Sequence, residues 1–285
     1  GKEFPILTPK PVFIRQAVLE LMWIYQAQSN DVRWLKERNV NIWNEWEIDE
    51  DGIYRIYEPT GEFVDKEVVV KDLDGNDMKD EFGNIMKAKS NLEGKTIKAA
   101  KFYGKEYAHT IGTAYGYIVN NFKLIDNLID TIKNNPTDRR MLMSLWQNDY
   151  LKTAVLPSCV WSNEWDVTNG KLNLWVHQRS CDVPLGLPFN VSQYATLLMM
   201  IAQVTNLEPG TLNWSIKDAH IYVNQIDGIK EQIKRYDELG DFKAPKVWLN
   251  PDIKNFYEFD NSKECKDIKV LEYQNHGPIR FPIAQ

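Results

Sequence analysis

Asn169-Gly170 constrains this chain more than any other pair of its residues. The two stand between strand-like stretches at 158–167 and 171–181, and a two-residue Asn-Gly loop is the strongest short signal for a hairpin, because its turn needs positive φ at both positions. Such a turn sets the pairing on either side: Thr168 faces Lys171 and, counting outward without interruption, Cys159 faces Ser180, with Arg179 and Cys181 as flanking neighbours. A thiol beside a guanidinium is drawn toward the thiolate, the form that attacks carbon. An unperturbed thiol, with a pKa of about 8.5, is only a few per cent ionised at neutral pH, so a nearby cation has leverage. Regular pleating works against the pair, since Arg179 would point to the face opposite Cys159. The guanidinium reaches the thiol only through a bulge or a strand end. Without one, Cys159 is an ordinary small core residue. The same opposition of faces disfavours a Cys159–Cys181 disulfide.

The remaining chain mixes periods. Ile14, Val18, Leu21 and Tyr25 recur at helical spacing, which predicts an amphipathic helix over 12–27, followed by a short helix over 30–38 and a Trp-rich turn, Ile42-Trp43-Asn44-Glu45-Trp46. Ile118, Phe122, Ile125, Ile129 and Ile132 make one face of a helix that Asn134-Asn135-Pro136 ends. Strands are expected at 141–146, 211–222 and 266–273, a Leu- and Met-rich core helix over 190–206 and a further helix over 223–239. Helices and strands mixed without strict βαβ alternation indicate an α+β fold.

Charge is spread unevenly. The 285 residues hold 40 Asp+Glu and 34 Lys+Arg, a net charge of −6, and residues 47–98 alone hold 14 acidic and 8 basic residues. That stretch accounts for the whole imbalance. Asp51-Gly52, Thr60-Gly61, Asp74-Gly75 and Phe82-Gly83 cut it into short segments, so 48–98 is expected to be a small acidic loop or hairpin insertion in a domain made of 1–47 and 99–285. Asp72, Asp74 and Asn76 imitate the start of a calcium loop. However, Asp77 stands where the sixth-position Gly belongs and Gly83 where the closing Glu belongs, which leaves a solvated hairpin tip. A body of balanced charge offers no basic stripe for nucleic acid. The apolar run at 197–201 is far too short to span a bilayer. Cys159, Cys181 and Cys265 are too few and scattered for a disulfide framework or a zinc site, so no metal is expected. No signal peptide is legible, and a soluble cytoplasmic protein is the expectation. The chain opens at Gly1 without an initiator Met, which suggests that a further N-terminal segment precedes it.

Leu156-Pro157-Ser158-Cys159, Gln178-Arg179-Ser180-Cys181-Asp182, Leu185-Gly186-Leu187-Pro188-Phe189-Asn190 and Asp218-Ala219-His220-Ile221-Tyr222 resemble, in order and spacing, the successive motifs of the thymidylate synthase family. Leu19-Glu20-Leu21-Met22-Trp23, Ile42-Trp43-Asn44-Glu45-Trp46, Ala114-Tyr115-Gly116 and Asp138-Arg139-Arg140 add to the likeness, which covers nearly the whole chain except 48–108. The resemblance implies a large mixed β-sheet flanked by helices and packed sheet to sheet in a homodimer. It also implies reductive methylation of dUMP to dTMP, with 5,10-methylenetetrahydrofolate as the donor of carbon and hydride and dihydrofolate as the second product. In that family reading Cys159 is the nucleophile. Its addition at C6 of uracil makes C5, otherwise a poor nucleophile, an enolate carbon that can take up the one-carbon unit.

The resemblance assigns the remaining roles. Arg179 favours the thiolate and, with the Ser180 hydroxyl, holds the dUMP phosphate; Arg139 and Arg140, donated by the partner subunit, complete an oriented clamp on that dianion. Asn190, with Gln178 in the same substrate site, meets the pyrimidine edge by accepting from N3–H and donating to O4. A flipped amide would suit cytosine instead, so selectivity requires neighbours that pin it. His220 and Tyr222, two apart on a strand, match the pair on the ribose 3′-hydroxyl. Glu20, in an apolar helix where burial should raise its pKa, organises water for proton transfers, and Tyr115 assists proton removal from C5. Asp182 contacts the folate ring, Trp43, Trp46, Leu156, Gly186 and Phe189 wall its site, and Lys10 meets its glutamate tail.

Some positions depart from the family pattern. Val160 follows the nucleophile where many members have His, Pro184 replaces a bulkier residue, and the chain ends at Gln285 where the family's closing C-terminus ends in an aliphatic residue. The alternatives are a pyrimidine-nucleotide hydroxymethylase, in which water replaces hydride, or a non-catalytic relative that binds nucleotide or RNA. Trp43, placed to shield the exocyclic methylene, favours methylation.

Overall fold

The structure, a computed structural model, describes residues 3–58 and 61–282; Thr60 and the C-terminal Gln285, both singled out above, lie outside the described residues. Helix α1 (Ile14–Leu21) turns Ala17, Val18, Leu19 and Leu21 inward and runs directly into a π-helical turn, Met22–Gln26, whose five residues are all buried. The helix predicted over 12–27 is thus real, but its last turn is wider than α, a feature that often marks functional sites. Asp31 then caps α2 (Val32–Lys36) by accepting the Arg33 amide at 2.9 Å.

The acidic stretch forms its own small sheet from β1 (Ile53–Tyr57), β2 (Val68–Lys71), β3 (Lys87–Ala88) and β4 (Ile97–Phe102), in the order β1-β4-β2-β3. Ile53, Val70, Ala88, Ile97 and Ala100 make its core, and β4 runs past residue 98. Asp72 accepts the amides of Asp74 and Asn76, and Asp80 repeats the arrangement with Phe82 and Asn84. These carboxylates close turns, and no group of three metal-ligating side chains occurs among the described residues.

One predicted helix divides into two, α3 (Gly116–Asn121) and α4 (Leu124–Asn134), because Lys123 adopts left-handed φ of 49°. Phe122, expected on the buried face, is left 39% exposed at this joint, while Ile118, Ile125 and Ile132 are buried. Gly116 opens α3 so close to the segment after the π-helical turn that a Cβ there would stand 1.9 Å from the Ser29 carbonyl oxygen.

The main sheet comprises β5 (Leu142–Ser144), β6 (Val160–Thr168) and β7 (Lys171–Gln178), followed by β8 (Cys181–Asp182), the long helix α5 (Gly186–Val204) and β9 (Glu208–Ile216). Its order is β5-β6-β7-β9, antiparallel except for the parallel β7–β9 pair, so the sheet is mixed as expected. Helix α5 is buried over most of its length and packs on α1, β7 and β9. Strand β10 (Ala219–His220) pairs in parallel with β8, setting His220 beside Asp182. The strand predicted over 211–222 is therefore two pieces, with Tyr222 beyond the second. Helix α6 (Ile226–Leu239) and an antiparallel pair, β11 (Lys246–Leu249) with β12 (Ile268–Leu271), complete the chain. No helix of the described residues is long and apolar enough to cross a membrane.

The Asn-Gly turn behaves as its chemistry demands, with φ of 51° at Asn169 and 74° at Gly170. Pairing follows the turn from Thr168 and Lys171 as far as Ser162 and His177, then slips, and Val160 pairs with Gln178. The extra residue at Trp161 is a bulge, which corrects the uninterrupted count that put Cys159 opposite Ser180. The Cys159 carbonyl instead accepts the Arg179 amide at 2.9 Å.

Candidate active site

That bulge brings Arg179 round to the thiol. Its Nη2 lies 3.8 Å from Cys159 Sγ and donates to the Pro157 carbonyl at 2.6 Å, while Nε donates to the Ser158 carbonyl at 3.1 Å. Trp146 packs beneath the guanidinium, 5.8 Å from ring centre to Cζ. Cys181 and Cys265 are buried, and burial pushes their thiols up to about 11 and 12, whereas Cys159 is only half-buried. Burial also raises the Cys159 thiol, with Arg179 and Tyr115 acting against it. The guanidinium therefore limits the shift without reversing it, because its donors are shared with two carbonyls and it stands off the sulfur. Arg179 thus acts in the direction expected of it, favouring the thiolate, while burial acts more strongly the other way.

Behind the thiol lies a chain of aromatic and carboxylic groups. Tyr115 sits at φ 47° and ψ −107°, a conformation that a non-glycine residue keeps only when its surroundings compel it. Its hydroxyl accepts the Cys159 amide proton at 2.8 Å. Trp43 packs edge-on against Tyr115 at 5.5 Å and against Trp46 at 5.6 Å, and its Nε1 donates to Glu20 Oε1 at 2.7 Å. Gln193 Nε2 donates to the other carboxylate oxygen at 2.9 Å. Burial raises the Glu20 pKa, as the sequence suggested, and these two donors act against the rise. Gln193 was missed in the sequence. A buried-looking Gln at the head of the apolar run of α5, one of two in that helix, was its only signal.

Gln178 and Asn190, expected at the pyrimidine edge, meet at the start of α5. Gln178, 3% exposed, donates from Nε2 to the Ser180 carbonyl at 3.0 Å and to Asn190 Oδ1 at 3.3 Å, and its Oε1 accepts from Trp214 Nε1 at 3.0 Å. Both amide protons are thus spent on protein groups, and the oxygen takes one more. Asp182 accepts from the Leu185 amide at 3.0 Å and from Gln225 Nε2 at 2.9 Å. His220 and Tyr222 pack edge to face at 5.0 Å although only His220 is on a strand. Gly186, Phe189 and Asn190 fall in the first turns of α5, while Leu156 and Trp46 pack half-buried on the main core. Lys10 is 4% exposed, above the Phe281 ring at 5.3 Å, and burial lowers its pKa while Asp182 acts against that.

Arg139 and Arg140 stand apart. Arg140, 87% exposed at its side chain, pairs with Asp138 at 2.8 Å and holds that carboxyl down to about 2. The segment joins β6 at Trp165, whose amide donates to the Met141 carbonyl, so it lies near the end of the strand away from Cys159, roughly 20 Å along an extended chain. Within one chain the structure does not bring these arginines to the thiol.

A half-open thiol flanked by a guanidinium, backed by a buried acid, suits attack by sulfur on an electron-poor carbon, and an α+β enzyme of that kind is the class this fold and site define. The family model described as thymidylate synthase matches residues 1–285. The chain is 41% identical over 283 residues to a thymidylate synthase of Clostridium beijerinckii, spanning 99% of this chain and 83% of that protein. It is 36% identical over 293 residues to a thymidylate synthase of Bacillus licheniformis, with coverage of 100% and 81%. Its fold is similar to that of the thermostable thymidylate synthase A from Bacillus subtilis, with a TM-score of 0.73, 33% identity, and coverage of 100% and 82%. The chain belongs to the thymidylate synthase family.

Proposed function

We propose that this protein methylates dUMP to dTMP through a covalent bond between Cys159 Sγ and uracil C6. The observation that carries the reading is the bulge at Trp161, which sets the one half-open thiol of the described residues against Arg179. Arg179 and Ser180 hold the phosphate, Asn190 the pyrimidine edge, and His220 and Tyr222 the 3′-hydroxyl. Glu20 and Tyr115 move protons on either side of Trp43. The co-substrate 5,10-methylenetetrahydrofolate supplies carbon and hydride. The donor set suits a flat reduced pterin: each Asp182 oxygen has spent one lone pair on the protein and keeps another for a ring N–H, and Trp46 and Phe189 remain half-exposed as apolar walls. Lys10 and Gly186 belong to the same folate site, and residues 48–98 form an insertion in the catalytic body. Three unpaired cysteines suit a reducing compartment, and we assign the protein to the cytoplasm.

Incubating the protein with dUMP and the folate and weighing the products tests the reaction. dTMP with dihydrofolate is expected; hydroxymethyl-dUMP with tetrahydrofolate would replace methylation by hydroxymethylation.

The homodimer is part of the proposal. Trp175, 49% exposed, stacks on His177 with ring centres 6.1 Å apart, and the exposed Trp161 and Leu142 lie on the same part of the sheet beside Glu164, which pairs with His177; a second sheet would cover these rings. If each site borrows Arg139 and Arg140 from its partner, the inactive Cys159→Ala protein and the inactive Arg139→Ala/Arg140→Ala double variant should restore each other on mixing. Half of the exchanged dimers are hybrids and each hybrid has one complete site, so about a quarter of the parent activity is expected. Full subunit exchange, followed by differently tagged subunits, with no recovered activity would place the arginines elsewhere.

A further inference from the structure

Gln178 lies between two groups that can act in only one way. An indole N–H donates and never accepts, so the atom of Gln178 facing Trp214 at 3.0 Å must be Oε1; a peptide carbonyl accepts and never donates, so the atom facing Ser180 O at 3.0 Å must be Nε2. The second Nε2 proton then reaches Asn190 at 3.3 Å, and the Asn190 atom receiving it must be Oδ1. Trp214 is itself held by the edge of Tyr194, with ring centres 5.6 Å apart. Amide orientations, usually assigned by convention, are here forced by the chemistry of the two ends.

We propose that Trp214 is a specificity-determining positioning residue, which commits this site to uracil over cytosine by fixing Gln178 and, through it, the amide of Asn190. The proposal rests on the reading of Asn190 as the pyrimidine contact and deepens it. With Oδ1 held toward Gln178, Asn190 offers Nδ2 as donor to uracil O4 and the remaining Oδ1 lone pair as acceptor from N3–H. Cytosine presents an amino donor and a bare ring nitrogen at the same places, so both contacts oppose. Turning Asn190 alone sets its N–H against the N–H of Gln178. Turning both amides sets Gln178 Oε1 against the Ser180 carbonyl and Nε2 against the Trp214 N–H. The preference is thereby shared by three residues, and Trp214, which touches neither base nor phosphate in this scheme, is its distal anchor.

Binding of dUMP and of dCMP to one preparation, measured by calorimetry, tests this, because any loss of folded protein scales both ligands alike and leaves their ratio unmoved. The parent should favour dUMP. Trp214→Phe removes one of two anchors and should reduce the preference about fivefold; Gln178→Met removes both and should reduce it about fiftyfold. Trp214→His, which retains a ring N–H, should recover part of the loss. Should Trp214→Phe fold poorly, benzothienyl-alanine incorporated at position 214 keeps the indole shape, deletes only its N–H, and should give the same fivefold change. An unchanged ratio in the Trp214 variants overturns the role of Trp214, and an unchanged ratio in Gln178→Met overturns the relay, both without touching the proposed reaction. A parent that does not bind dUMP overturns the reaction and the relay together.

Discussion

Cys159→Ala protein should bind dUMP and release no dTMP, with turnover at least about ten-thousandfold below the parent. The nucleophile contributes a step that nothing else near the site can take over. Cys181 and Cys265 are buried with thiols pushed to about 11 and 12, and the Tyr115 hydroxyl is raised well above its ordinary value by burial. None of these groups ionises appreciably at neutral pH. The change should cost little in stability, within about 1 kcal/mol, because it deletes one half-exposed sulfur and leaves only a small void. Mass analysis of product together with a urea titration reads both quantities. Residual turnover within about tenfold of the parent would remove the covalent mechanism; a large loss of stability would return Cys159 to a structural role.

Glu20→Gln should lower kcat about a hundredfold to a thousandfold while leaving dUMP affinity within a few-fold. Both carboxylate oxygens of Glu20 accept, one from the Trp43 indole, which can only donate, and the other from Gln193 Nε2, which is kept in that orientation by its second proton on the Ala17 carbonyl at 3.0 Å. A glutamine must turn its own N–H₂ against one of the two, and it cannot exchange a proton. Steady-state kinetics decide the matter: kcat within a few-fold of the parent would leave Glu20 as packing. Stability supplies a second readout. Burial lifts the folded-state pKa of Glu20 above its unfolded value of about 4.3, so the native state binds this proton more tightly. The resulting stabilisation is fully present below the unfolded pKa and is lost as pH rises through the folded pKa. In Glu20→Gln that decline should vanish, giving a flatter urea midpoint against pH over this window. A parent curve with no greater fall than the variant's would contradict the burial of an ionisable acid here.

What was legible in the sequence was what neighbouring residues decide. The turn at Asn169-Gly170 placed Cys159 close to Arg179, and helical spacing recovered α1 and the buried Ile face of α3 and α4. The break at Lys123 was not legible, since the apolar period runs through it unchanged, whereas α3 packs on the π-helical turn and α4 on β5. The motif residues were recognisable one by one, but not the partners that give them direction. Gln193 is 173 residues from Glu20, and Trp214 is 36 from Gln178.

The sequence by itself therefore determined the hairpin and the helical faces, because turn sterics and apolar periodicity act over a few bonds. Tertiary structure alone decided the bulge at Trp161, the pairing of Glu20 with Trp43 and Gln193, and the single orientation left to Asn190. Each of these depends on hydrogen-bonding groups from distant segments meeting within about 3 Å, a distance set by how α1, α5 and the sheet pack together.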